Sequence, residues 1–76
     1  MATVTIYQEF KPGYTTGKET ERLTFPTIKD AFAYCLQERK KVWDDRRARL
    51  GWWEIKDKRV FLPNDGQFRR WAVITK

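Results

Sequence analysis

The chain has 76 residues with sixteen basic and ten acidic side chains, a formal charge of +6, a single cysteine, and neither histidine nor serine. This length has room for one domain, residues 1–76, which buries only roughly 60% of the surface its unfolded chain exposes, so a few large side chains must supply the core; four Trp, five Phe and three Tyr are available for it. A lone Cys35 excludes an intramolecular disulfide and suits a reducing compartment, and no run approaches the ~20 apolar residues of a membrane span, so the expectation is a soluble, unprocessed, cytoplasmic protein without membrane contact.

In chain order, Val4, Ile6 and Phe10 alternate with Thr3, Thr5, Tyr7 and Glu9, the two-residue period of a half-buried first strand. Pro12-Gly13 starts a turn, Gly17 closes a loop, and Leu23 and Phe25 then share one face of a second strand, returning antiparallel to the first. Pro26-Thr27-Ile28-Lys29-Asp30 opens a helix, with Thr27 as cap and Asp30 complementing the dipole. Ile28, Ala31, Phe32, Cys35, Leu36, Val42, Trp43 and Leu50 fall on an arc about 140° wide at the helical period. One long helix from Thr27 to Leu50, ended by Gly51 as its C′ residue, is therefore expected. Pairs four apart on its solvent side, Lys40 with Asp44, Lys41 with Asp45 and Asp45 with Arg49, support it. Strand-like runs follow at Trp52 to Lys56, Arg59 to Leu62 and Gln67 to Thr75, separated by a turn at Asp57-Lys58 and a stronger one at Pro63-Asn64-Asp65-Gly66. The predicted fold is α+β: an antiparallel sheet of four to five strands with one long helix on one face, in the order ββαββ(β).

Chemistry is narrowed by what is missing. Without His or Ser there is no Ser-His triad or Cys-His pair, and one Cys cannot assemble the usual Cys/His zinc site. The four glycines, Gly13, Gly17, Gly51 and Gly66, are scattered and make no phosphate loop. Asp44-Asp45 is the one adjacent carboxylate pair, and helical neighbours point about 100° apart, so they do not converge as an acid/base or metal site requires. Cys35 sits mid-stripe, where a thiol serves as a small hydrophobe. No enzyme, cofactor or metal is expected, an enzyme using carboxylates being the weakest alternative.

Binding remains. The basic excess is uneven: residues 1–25 carry three basic and three acidic groups, residues 26–51 seven and four, residues 52–76 six and three. Both later segments thus favour an acidic partner. Strand alternation with Trp53, Ile55, Val60, Leu62, Phe68, Ala72 and Ile74 toward the helix sends Trp52, Lys56, Arg59, Phe61, Arg69, Trp71 and Val73 to the opposite face, a mixture of aromatics and cations. Three accounts of that face compete: stacking of single-stranded nucleic acid, docking of a protein or a second copy as a homodimer, and cover by the termini or by the turn at residues 11–18. On the helix, Arg39 and Arg46 fall inside the apolar arc, where a buried arginine needs a partner unless it lays its stem on the core rim. A helix about 35 Å long overhangs six-residue strands of about 20 Å, freeing Arg46, Arg47 and Arg49 for an acidic surface, with Lys29, Lys40 and Arg47 along one flank.

Together these features predict a small non-catalytic interaction or inhibitor protein. It docks a basic, aromatic surface on an acidic protein or nucleoprotein complex, as a phage or mobile-element protein blocking a host nucleic-acid-handling complex would. The alternative is a direct, sequence-tolerant binder of single-stranded nucleic acid.

Overall fold

A computed structural model describes residues 1–10 and 17–76, the side chains of Phe10 and Asp65 excepted. The turn expected at Pro12-Gly13 lies outside the described residues. Four antiparallel strands form one sheet: β1 (Ala2–Phe10), β2 (Lys18–Phe25), β3 (Arg59–Asp65) and β4 (Phe68–Thr75), in the spatial order β2-β1-β4-β3. Between β2 and β3 run three helices, α1 (Ile28–Lys40), α2 (Asp45–Ala48) and α3 (Trp52–Asp57).

The alternation in the first strand delivers Ala2, Val4 and Ile6 to the inner face. There they meet Val60 and Leu62 of β3, Ala72 and Ile74 of β4, and Ala31 and Cys35 of α1, with Leu23, Phe25, Ile28 and Phe32 packed at the margin. Thr27 caps α1 as anticipated, its hydroxyl accepting from the Asp30 backbone N–H at 3.1 Å. β1 and β2 pair from Ala2↔Phe25 onward until a bulge between Ile6 and Tyr7, where the Thr20 hydroxyl donates to the Ile6 carbonyl. At the other edge the register of β3 on β4 shifts between Leu62 and Asp65. Pro63, which has no N–H for a ladder, falls in that irregularity. Gly66, at φ +60°, supplies the left-handed position of the β3–β4 turn.

Several expectations between Lys40 and Lys58 give way. The single helix from Thr27 to Leu50 is three helices: α1 stops at Lys40, and the backbone N–H groups of Val42 and Trp43 close onto the Arg39 carbonyl. Asp44 then starts α2 by accepting from the Arg47 N–H at 2.8 Å. Asp44 is thus a cap rather than one end of a pair with Lys40, which instead lies 3.9 Å from Asp45. Val42, counted on the apolar arc, is 70% exposed in the break. The strand at Trp52 to Lys56 is likewise a helix, so the sheet has four strands, the lower of the four to five expected. Gly51 precedes it as N-cap instead of ending the longer helix, and the Asp57-Lys58 turn is the end of α3, with Lys58 in the left-handed region at φ 59°. The C-terminal half of the helical segment does not continue as the expected rod of about 35 Å. It folds back, because Arg39 is buried and its carboxylate partner lies fifteen residues ahead.

Burial raises the Cys35 thiol from 9.0 to about 11 and, with donation to Glu38, the Tyr34 phenol from 10.0 to about 12. Both groups ionise later in the folded than in the unfolded chain, so their contribution is complete below about pH 9 and is lost as pH climbs toward 11 and 12. Stability measured by urea midpoint should fall between pH 9 and 11 by on the order of 2 kcal/mol. Cys35→Ala should flatten that decline while leaving the loss above pH 10 that belongs to Tyr34; an unchanged slope in the variant would refute the assignment.

Candidate binding surface around α3

The surface is built from a buried ion pair outward. Arg39, one residue before the end of α1, donates to Glu54 of α3 at 2.5 Å, and the two side chains are 7% and 5% exposed. Its second amino group reaches the carbonyls of Arg47 and Arg49 at 3.4 Å each. The guanidinium also lies 5.1 Å from the centre of the Trp43 ring, which Arg47 approaches at 4.9 Å. The other Glu54 oxygen accepts from the Gly51 N–H, so one carboxylate both pairs with α1 and caps the helix that carries it. Arg39 thereby has the partner that its place on the apolar arc demanded, while Arg46 stands exposed on α2.

With Glu54 turned inward at the helical period, its neighbours turn outward. Trp52 is 73% exposed, Trp53 47% and Ile55 49%, and Phe61 of β3 is 38% exposed. Trp53 meets Phe61 with ring centres 5.8 Å apart at 56°, which sets α3 beside the end of the sheet. The Lys56 ammonium rests 5.0 Å from the centre of the Trp52 ring, one helical turn away. Lys56 and Arg59 are exposed on either side of the half-buried Lys58.

The outer sheet face is arranged differently. Cross-strand pairing puts Tyr7, Trp71 and Phe61 in one row, with Arg59, Val73, Arg69 and Glu9 on the same side. Trp71 is only 9% exposed. Tyr7 stacks on it at 5.7 Å and 14°, Arg59 lies 5.2 Å from its ring centre, and Gly17 presses against the ring so closely that a Cβ there would overlap it. Arg69 pairs with Glu9 at 3.3 Å. The sheet residues singled out from the sequence therefore share a face, but its central indole is enclosed by the chain itself. Trp52 and Lys56 belong to α3 instead of that face, and Trp53 and Ile55, assigned inward by strand alternation, are exposed.

Arg46, Arg47 and Arg49 are exposed on and just after α2, Arg47 committed to the Trp43 ring. Among the described residues, the groups whose titration is shifted do not gather near α3: Cys35, Tyr34 and Glu38 lie on α1, Glu38 lowered by accepting from Lys41, and Arg22 lies on β2, raised by its pairing with Glu19. Among the described residues no group of His, Cys, Asp and Glu is placed to hold a metal ion, and no helix is long and apolar enough to cross a membrane. Two signals for the missed site were present in the sequence: a glutamate three residues after Gly51, a helix-start spacing, and an arginine on the apolar arc in need of a carboxylate.

No protein-family model, curated protein or solved structure matches the chain.

Breaking the buried pair one side at a time should cost about 3–5 kcal/mol, because it strands a charge away from water. Set against a total of about 4–11 kcal/mol for a domain of this size, Glu54→Gln or Arg39→Met alone should lower the urea midpoint by at least roughly a quarter. The double variant Arg39→Met with Glu54→Leu should recover much of that loss; a double-variant loss equal to the sum of the two single losses would show that no pairing energy links them. Independently, Gly17→Ala should cost about 1–3 kcal/mol by driving a methyl group into the Trp71 ring, and a neutral result would place Gly17 away from the indole.

Proposed function

We propose that this chain is a non-catalytic interaction protein that docks α3 and the adjoining end of β3 on an acidic protein partner. The observation that carries the reading is the inverted helix: α3 buries its carboxylate and exposes Trp52, Trp53 and Ile55. Contiguous apolar surface of this kind marks an interaction site in soluble proteins, and tryptophans anchored on a rigid element are the residues that dominate interface energetics. Three features favour a protein over a nucleic acid. Ile55 contributes nothing to base stacking but fits an apolar pocket, Trp53 is already edged against Phe61, and Trp71 is enclosed. Lys56 and Arg59, on a chain of net charge +6, favour carboxylates around that pocket. Where occupation of a partner's working surface is the whole activity, such a chain acts as an inhibitor, and the absence of His and Ser is compatible with that role. A phage or mobile-element origin and a host nucleic-acid-handling target are the biological form this reading takes.

Direct binding of single-stranded nucleic acid is the second reading, and Trp52 supports it as an indole largely open to solvent with a lysine beside it.

Capture with the protein as bait, followed by calorimetry with the purified partner, tests both. Trp52→Ala should weaken binding to an acidic partner by roughly 30-fold, corresponding to about 2 kcal/mol for an interface anchor, while Arg46→Ala should change it little. Undiminished affinity in Trp52→Ala with Ile55→Ala would remove α3 as the contact. Binding to single-stranded DNA or RNA that falls steeply with salt and is lost in Trp52→Ala would transfer the function to the second reading.

A further inference from the structure

A concavity lies between the C-terminal half of α1 and the α2 segment. It is an open groove of about 460 Å³ lined by Leu36, Lys40, Asp45, Arg49 and Leu50. Half-buried Leu36 and Leu50 provide an apolar floor, while Lys40 from α1 and Arg49 from the end of α2 each bring an exposed cation to it. Neither cation is firmly committed. Lys40 has only a 3.9 Å approach to Asp45, whose side chain is 85% exposed, and Arg49 makes no ion pair with any described residue. The wall that carries Arg49 is nevertheless held in place, since buried Arg39 donates to the backbone carbonyls of Arg47 and Arg49.

We propose that this groove binds an acidic peptide segment bearing one aliphatic side chain. The aliphatic group lies on Leu36 and Leu50, and carboxylates on either side of it pair with Lys40 and Arg49. Two cations carried by different elements across an apolar floor suit carboxylates separated along a chain. A phosphate backbone would gain nothing from the leucines and would meet the Asp45 carboxylate directly. Exposed Arg46 and Arg47 add attraction at longer range. The site stands on its own chemistry and does not depend on what α3 contacts.

The test is fluorescence anisotropy with the full chain and a labelled short polyglutamate peptide carrying a single central leucine. Saturable binding is expected, weakened at least about tenfold by Lys40→Glu with Arg49→Glu, or by Lys40→Gln with Arg49→Gln should the reversal disturb folding. Exchange of the peptide leucine for glycine should also weaken it. Asp45→Asn should strengthen binding about two- to threefold, the size expected on removing one exposed competing charge. Trp52→Ala should leave peptide binding intact, which separates this site from α3: loss there would place the peptide on α3 and overturn the groove. No binding up to about 1 mM, equal binding of the leucine-free peptide, or equal binding by both charge variants would each overturn it. So would leucine-independent displacement of the peptide by duplex DNA, which would identify a phosphate-binding surface instead.

Discussion

A guanidinium and a carboxylate withdrawn from water each carry a desolvation penalty of several kcal/mol, so neither Arg39 nor Glu54 persists in the interior without the other. Their contact is the constraint on which the middle third of the chain depends. Arg39 stands one residue before the end of α1 and Glu54 two residues past the start of α3. The intervening segment must therefore turn back on itself, and the turn is made by two short capped pieces rather than by continued helix. The same guanidinium fastens α2 through the carbonyls of Arg47 and Arg49 and through the face of Trp43. One of its nitrogens, Nε, is buried with no hydrogen-bond partner among the described residues. Its main effect is positional: it selects one arrangement of three helices over an uninterrupted rod.

That selection inverts the usual amphipathicity of a surface helix. A short helix normally buries its apolar stripe and presents its charges. In α3 the inward group is a glutamate, and the large apolar side chains are left in solvent. The outer sheet face shows the opposite economy of surface, with Trp71 enclosed by Tyr7, Arg59 and Gly17. Aromatic residues that look equivalent as composition are thus divided between internal packing and display, and the division runs between β4 and α3, with Phe61 at the boundary.

The sheet edges explain why side chains rather than backbone are the available means of contact. β2 is an edge strand carrying Lys18, Glu19, Glu21 and Arg22, charges of the kind that blunt edge-to-edge pairing. The other edge, β3, is broken by the irregularity that holds Pro63 and is flanked by α3 through Trp53 and Phe61.

Much of the fold was legible in the residues themselves. Two-residue alternation marked β1, β2 and β4, Thr27 marked the start of α1, and the apolar stripe through Ala31 and Cys35 marked the face that meets the sheet, because each of these signals acts within a few residues of chain. Arg39 was also visible as an anomaly on that stripe. The sequence could not say where its partner came from, since Glu54 is fifteen residues away and reads locally as one polar position in a strand-like run of Trp-Trp-Glu-Ile-Lys. Alternation at period two and helix at period 3.6 both accommodate those residues; the Gly51-to-Glu54 spacing leans toward helix, and the buried guanidinium fixes it. Tertiary structure decided accordingly that Glu54 points in and Trp52, Trp53 and Ile55 point out, and that Trp71 is covered. An ion pair formed across space outweighs the local periodicity from which a sequence must be read.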